Sequence, residues 1–183
     1  MVKKIERGDI MYLKKPSKAE EDEILQIIKE VNNLDGNFEG ARSIKDIDDY
    51  DEWLEKLKLY ENPNTVPSHL VPGSTYLAME DDRVIGIINV RWYLNEALKK
   101  HGGHIGYFIR PSERGKGKGT KMLALCLNEI RNKDKNIDKV MITCRKENIA
   151  SARVMEKNGG VYEDNYIEES SGKTFKRYWI NLK

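Results

Sequence analysis

A short stretch about two thirds of the way along the chain joins an extended apolar segment to a helix through three glycines spaced two apart. The stretch reads Arg110-Pro-Ser-Glu-Arg-Gly-Lys-Gly-Lys-Gly-Thr120. Glycine lacks a Cβ, so Gly115, Gly117 and Gly119 can take positive φ and bring their backbone N–H groups close to a ligand. The first N–H groups of the following helix have no intrahelical partner and carry partial positive charge. This stretch therefore predicts a phosphate site between a strand and a helix.

Two common phosphate loops do not fit this spacing. A dinucleotide-binding fingerprint needs a small residue where Thr120 stands, and it opens an early βαβ unit rather than a late one. A P-loop ends in Gly-Lys-Ser/Thr, whereas this loop ends in Gly119-Thr120-Lys121. A solvated glycine and lysine turn without a ligand is the remaining alternative, and the flanking strand and helix weigh against it.

The order strand, Arg-x-x-Gly-x-Gly, helix resembles the acetyl-CoA site of the Gcn5-related N-acetyltransferases (GNAT). Arg114, Gly117 and Gly119 stand at the motif positions, and Ile109-Arg110-Pro111 matches the family's hydrophobic-x-Pro lead-in. In this family the loop amides bind the pyrophosphate of coenzyme A.

The resemblance continues downstream and covers about residues 85–180. Asn148-Ile-Ala-Ser151, followed by Glu156-Lys-Asn-Gly159, resembles the family's second CoA-contacting helix. The string Gly102-Gly-His-Ile-Gly-Tyr107 is similar to one in an uncharacterised bacterial acetyltransferase group.

The resemblance implies a mixed α/β fold, with a central, mostly antiparallel sheet flanked by helices and two parallel strands splayed at the CoA site. It implies one domain over residues 1–183, acetyl-CoA as co-substrate and no metal. The residues expected to bind the cofactor are Phe108, Ile109, Arg114, Gly115, Lys116, Gly117, Lys118, Gly119, Thr120, Asn148 and Ser151.

Composition agrees with a compact enzyme. The net charge is only +2, so no broad nucleic-acid-binding surface is expected. Lys3 and Lys4 are not followed by an apolar region, and no run approaches about 18 apolar residues, so we expect a cytoplasmic protein without a membrane span. Cys126 and Cys144 lie in apolar segments and are expected to be buried thiols.

Hydrophobic periodicity and turn residues predict alternating helices and strands. Ser17 and Glu20 form a capping box before the first helix. The expected strands are 10–15, 75–79, 84–92, 103–109 and 140–144, with a final hairpin of 161–167 and 174–180. The expected helices after the first are 48–60, 120–131 and 148–158, and 62–73 is an irregular connection.

Acetyl transfer needs a neutral amine, a polarised thioester carbonyl and a stabilised thiolate. His104 is the candidate base, because an unperturbed pKa near 6.5 suits that task at neutral pH. A histidine that only fixes the strand by hydrogen bonding is the alternative. The family resemblance assigns polarisation of the carbonyl to the backbone N–H of Ile109, at the point where two parallel strands splay apart.

Protonation of the thiolate is where the sequence departs from the family. Many members carry a tyrosine seven residues after the helix-opening asparagine, and counting from Asn148 places Met155 there. Methionine has no proton to donate. Tyr107, Tyr162 or Tyr166 could serve as the acid, with Tyr107 taken as the catalytic candidate, or the thiolate could leave unassisted.

The acceptor side carries weaker signals. By resemblance, residues 33–73 form part of the acceptor pocket. This region contains an acidic cluster of Asp46, Asp48, Asp49, Asp51 and Glu52. The cluster could suit a cationic acceptor but is better explained as negative charge at a helix start and on the protein surface. Arg91 and Asn95 could line the pocket or cap a turn. His101 and His104 have metal-like spacing, but no further ligand completes the pair.

Three function classes follow. The leading one is an acetyl-CoA-dependent N-acetyltransferase acting on an amine of a small molecule or a peptide. The second is a catalytically silent acyl-CoA-binding module. The third, a nucleic-acid-binding protein, would use the loop's basic residues with Trp92 and Tyr107, and the modest net charge weighs against it. A homodimer is left open.

Overall fold

The computed structural model describes residues 10–34, 36–40, 42–45 and 47–183. Seven strands form one sheet in the order β1-β2-β3-β4-β5-β7-β6. Only β4 and β5 are parallel; the other neighbours are antiparallel. The strands are β1 (Tyr12–Lys14), β2 (Gly73–Glu80), β3 (Arg83–Arg91), β4 (Ile105–Ile109), β5 (Lys139–Arg145), β6 (Val161–Ile167) and β7 (Thr174–Asn181). The predicted mixed, mostly antiparallel sheet is confirmed.

Five α-helices flank this sheet within the described ranges: α1 (Glu21–Asn32), α2 (Tyr50–Glu61), α3 (Glu96–Lys100), α4 (Lys118–Lys133) and α5 (Ile149–Lys157). One core lies between the sheet and α4 with α5, and a second lies between the sheet and α1 with α2. The alternation of β2 divides its side chains between them, with Tyr76 and Ala78 in the first core and Leu77 and Met79 in the second.

The pairing of β4 with β5 is confined to one position, Ile105 opposite Ile142. On its other side, β4 pairs with β3 over all five of its residues. The His104 carbonyl accepts from Arg91 N–H, and Arg110 N–H donates to the Ile85 carbonyl. Bonds of this kind involve alternate residues of an antiparallel strand. Gly106 and Phe108 therefore turn their backbone toward β3, whereas Tyr107 and Ile109 turn theirs toward β5.

Helix starts are where the sequence was most informative. The capping box of Ser17 and Glu20 is present, although a turn of 3-10 helix precedes α1. The acids at the start of α2 serve as helix-start and surface charge, as the second interpretation held. Asp49 caps the helix by accepting from Glu52 N–H, and Asp51 in the first turn forms an exposed ion pair with Lys18. Asp46 lies outside the described residues.

The short helix α3 was not predicted, because its five residues are too few for a periodic signal. Asn95 is its N-cap, with the side-chain oxygen accepting from Leu98 N–H at 3.0 Å. Asn95 therefore has the capping role that was one of its two predicted alternatives. Among the residues with described positions, no helix is both long and apolar enough to cross a lipid bilayer.

Candidate active site

The glycine loop leaves backbone N–H groups open at the start of α4. Gly115 and Gly117 both have φ of +76°, and a Cβ placed on either would meet no atom within 4 Å. Gly117 is the N-cap of α4, no side chain caps this end, and the first turn holds no acidic residue. The N–H groups of Lys118 and Gly119 therefore face a space that an anion can enter.

The third glycine has a different role from the one expected. Gly119 lies within α4 and does not take positive φ. A Cβ there would come within 3.2 Å of Val154 on α5 and 3.5 Å of Ile109 on β4. Gly119 thus allows close packing of α4. Thr120, next along, already donates its N–H to Gly117 and accepts from the Asn158 amide.

The basic side chains of the loop are held by acids. Lys116 and Lys118 each lie 3.2 Å from Glu113, whose side chain is buried, and Lys118 also contacts Glu80. Burial opposes the charge of Lys118, but its bonds to Glu80 and Glu113 raise its pKa overall. These lysines therefore brace the loop, and its backbone amides are the groups left for a phosphate.

The two arginines of this stretch also contact other parts of the protein. Arg114 donates to the Ile109 carbonyl at 3.1 Å and lies over the Phe108 ring. Arg110 is 3% exposed and bonds three side chains of α1: Glu23, Gln26 and Glu30. A nucleic-acid surface built from these residues is not supported by this arrangement.

Beyond Ile105, β4 and β5 diverge, and a cavity of about 610 Å³ lies at the divergence. The N–H groups of Tyr107 and Ile109 face this gap. Phe108 does not, because its backbone pairs with β3 and its side chain is buried in the second core. The expectation that Phe108 contacts the cofactor is therefore not supported.

Gly40 presses on β4 from the loop between α1 and α2. Its φ is +89°, and a Cβ there would lie 1.9 Å from the Tyr107 carbonyl oxygen. Only glycine fits this approach. It brings Glu39 and Ser43 into the cavity wall, so a small part of the predicted acceptor region reaches the site.

The start of α5 brings three of the predicted residues together. Asn148 caps the helix by accepting from Ser151 N–H at 2.9 Å, and the Ser151 hydroxyl lies 2.8 Å from the Tyr107 hydroxyl. All three line the cavity. Burial raises the pKa of Tyr107 well above its ordinary value, despite its bond to Ser151. The phenol therefore stays protonated and can serve as a proton donor.

Neither of the other candidate tyrosines lines this cavity. Tyr162 is 49% exposed on β6, and Tyr166 stacks on the His101 ring. Met155 is fully buried in the core beneath α5. The position that often carries the family's tyrosine is thus a packing position here.

His104 bridges β4 and β5 at the point where they part. The side-chain Nδ1 of His104 accepts from the backbone N–H of Met141 at 2.9 Å. The backbone N–H of His104 donates to the Met141 carbonyl at 2.7 Å. A neutral imidazole that accepts at Nδ1 carries its proton on Nε2, so no lone pair is free to take a proton. Burial, together with the nearby charge of Arg91, lowers the pKa of His104 to about 4. This geometry weighs against the base and favours the hydrogen-bonding alternative.

The acceptor side of the cavity is lined by charged residues that are mostly paired. Glu39 lies 3.1 Å from Arg145, and Glu168 lies 3.3 Å from His101. Arg91 also lines this wall, as one of its two predicted roles held. Three charged residues of this wall were not predicted from the sequence, because they come from separate loops and strand ends without a shared motif. They are Glu39, Arg145 and Glu168.

The two histidines of the suspected metal spacing make separate contacts. His101 stacks against Phe175 and Tyr166, whereas His104 lies edge-on to Trp179. Within the ranges given above, no three His, Cys, Asp or Glu side chains are placed to hold a metal ion.

The structure has an open glycine loop at a helix start and a parallel strand pair that parts beside it, two features that the family resemblance predicts. The family model described as the acetyltransferase (GNAT) domain matches residues 11–161. The chain therefore belongs to the GNAT acetyltransferase family. No curated protein sequence matches it.

Solved structures share the fold. The microcin C7 self-immunity acetyltransferase MccE, in complex with acetyl-CoA and AMP, has a TM-score of 0.71 at 16% identity over 96% of this chain and 94% of that one. The Salmonella typhimurium acetyltransferase that modifies the N-terminal serine of ribosomal protein L7/L12 has 0.67, at 15% over 98% and 99%. A chimera of the Vibrio cholerae spermidine N-acetyltransferase and a second enzyme has 0.63, at 15% over 95% and 96%.

Proposed function

We propose that the protein transfers the acetyl group of acetyl-CoA to an amine of a small molecule or a peptide. The amine attacks directly within a ternary complex. The observation that carries the proposal is the gap between β4 and β5, which two β4 amides face and which lies at the same strand end as the open glycine loop. The structural neighbours add support, since they include an acetyltransferase in complex with acetyl-CoA, a spermidine N-acetyltransferase chimera and an enzyme that modifies a protein N-terminal serine.

Each part of the cofactor has a group suited to it. The pyrophosphate binds the amides from Gly115 to Gly119, where the positive end of the α4 dipole adds to the attraction. The acetyl carbonyl accepts from Ile109 N–H, which lies beyond the last pair of β4 with β5. A preorganised donor of this kind is worth about 3 kcal/mol in the transition state.

Tyr107 is the proposed acid. As the amine nitrogen bonds to the carbonyl carbon, the C–S bond breaks and its electron pair passes to sulfur. The Tyr107 hydroxyl protonates that sulfur and regains a proton from the Ser151 hydroxyl, 2.8 Å away. Ser151 is restored by solvent, and the attacking amine loses its surplus proton to water.

His104 is proposed to hold β4 and β5 at the mouth of the gap. Its two bonds to Met141 set where the strands part. The acceptor then reacts as the neutral amine already present in solution, which predicts a rate that rises with pH as the acceptor itself deprotonates.

The test measures binding and chemistry separately. Acetyl-CoA at 100 times its Kd should stabilise the folded protein by about 2.7 kcal/mol in calorimetry. Gly117→Ala should lose most of this gain, because its methyl group fills space that is open for the pyrophosphate. Gly172→Ala is the matched control, with φ of +66° and equally open surroundings in the β6–β7 turn.

Thiol release is then followed with a panel of amines. Absence of any acetyl-CoA stabilisation in the unmodified protein would refute the proposal at its root. Stabilisation without thiol release from any amine would instead favour the silent acyl-CoA-binding module.

A further inference from the structure

Arg91 has an unusual environment for an arginine of this protein. It is the last residue of β3, and its guanidinium lies over Gly106 of β4, with Nη2 3.7 Å from the position of a Cβ there. Nη1 donates to the carbonyls of Gly103 at 3.1 Å and Gly102 at 3.4 Å. Burial lowers the pKa of Arg91 from its ordinary value.

Other enclosed arginines of the protein face a carboxylate. Arg110 has Glu23 and Glu30, Arg177 has Asp164, and Arg145 has Glu39. Arg91 has no acidic partner within 4.0 Å among the residues whose positions are described. A partly buried charge without a counter-charge is unfavourable, and an incoming anion would relieve that penalty.

The donors of Arg91 are also incompletely used. A guanidinium has five N–H groups in a planar fork. The turn carbonyls take those of Nη1, and no hydrogen bond joins Nε or Nη2 to the described part of the chain. Arg91 lines the large cavity, so the free side of the fork is suited to a carboxylate or a phosphate.

We propose that the acceptor is an amine that carries an anionic group, a carboxylate or a phosphate, which binds Arg91. This rests on the proposed acetyl transfer and names the class of its acceptor. The acids of the same wall, Glu39 and Glu168, already pair with Arg145 and His101. A polycationic amine would therefore find no unpaired carboxylate among the described wall residues.

The position of Arg91 also limits the length of the acceptor. Its guanidinium lies at Gly106, and the reacting carbonyl is assigned to the N–H group of Ile109, three residues further along β4. At about 3.3 Å per residue, the anion and the amine are separated by no more than roughly 10 Å. A short amino acid, an aminoalkyl phosphate or a chain-terminal residue fits this spacing.

The experiment compares acceptors matched in all but charge. The first series pairs L-amino acids with their primary amides, and the second pairs amino alcohols with their phosphate monoesters. We expect kcat/KM to favour the anionic member of one series by roughly 10²-fold, because a site built for a hydrogen-bonded group rejects the analogue lacking it. The series that shows the preference identifies carboxylate or phosphate.

Variants separate recognition from support of the turn. Arg91→Gln keeps a donor for the Gly102 and Gly103 carbonyls but loses the charge and the fork. It should bring the ratio of anionic to neutral kcat/KM toward one, mainly through KM, with acetyl-CoA affinity retained. Arg177→Gln is the control, since Arg177 donates to the Lys99 carbonyl from outside the cavity and should leave the ratio as it is.

The outcomes are distinguishable. Equal use of charged and neutral acceptors by the unmodified protein overturns the inference and leaves acetyl transfer intact. The inference is also overturned if Arg91→Gln lowers kcat/KM equally for anionic and neutral acceptors. That result would mean that Arg91 only supports the turn at Gly102 and Gly103. Loss of acetyl-CoA binding and thiol release with every amine is instead a failure of the proposed function.

Discussion

His104 makes the protein sensitive to acid in a way that one substitution can isolate. The folded ring has its pKa lowered to about 4, and in the unfolded chain the ordinary value of 6.5 returns. The unfolded state therefore takes up a proton first as pH falls. The contribution of His104 to the free energy of unfolding is fully present above pH 6.5. It declines as the pH falls below 6.5 and stops changing below about pH 4.

The two values set the size of the effect. Linkage converts them into a loss of about 2.5 kcal/mol in the free energy of unfolding between roughly pH 7.5 and pH 4.5. His104→Asn keeps an oxygen that can accept from Met141 N–H but removes the titration. We expect it to lie within about 1 kcal/mol of the unmodified protein at neutral pH and to be the more stable of the two at pH 4.5.

Urea unfolding at both pH values measures this difference, and subtraction cancels the groups common to both proteins. His104→Leu serves as the comparison: it should lose about 1 to 3 kcal/mol at neutral pH, because Met141 N–H is left buried without an acceptor. Parallel pH dependences in the unmodified protein and His104→Asn would refute the assigned pKa. A roughly 10² to 10⁴-fold loss of kcat/KM in His104→Asn, with its limb near pH 6 to 7 abolished, would restore His104 as the base.

Two further predictions concern the tyrosine in the cavity and the arginine at the end of β4. Tyr107→Phe should lower kcat by roughly 10²-fold with acetyl-CoA binding retained. Tyr162→Phe is the control, because its hydroxyl lies outside the cavity, and it should leave kcat unchanged. Stopped-flow measurement of thiol release compares the two variants, and equal rates would favour unassisted departure of the thiolate. Arg110→Met should destabilise the fold by about 3 kcal/mol in urea unfolding, because carboxylates on α1 lose their buried partner, and a change under about 0.5 kcal/mol would contradict that role.

Local chemistry explains what could be predicted from the sequence. The glycine loop, the capping box at Ser17 and the start of a helix at Asn148 each depend on residues a few positions apart. Their conformations are dictated by neighbouring backbone, so the residue types are enough to indicate them. The mixed, mostly antiparallel sheet follows from the family resemblance that these local features carry.

What could not be predicted depends on contacts between distant segments. Nothing near Met155 in the chain indicates that it packs into the core, or that the hydroxyl of Tyr107 meets Ser151 from another element. The Nδ1 bond of His104 comes from Met141, 37 residues away. A residue type shows which chemistry is available, but only the fold decides whether a lone pair or a charge is left free.

The single ladder pair between β4 and β5 divides the sheet into two hydrogen-bonded blocks. One block holds β1 to β4, and the other holds β5, β7 and β6. Each block has its own ladders, so the two can open as separate cooperative units in native-state hydrogen exchange. A cofactor that lies in the gap and bonds both blocks would connect them. Its binding would then merge two exchange units into one, and amides far from the cavity would exchange more slowly than contact with the ligand alone can explain.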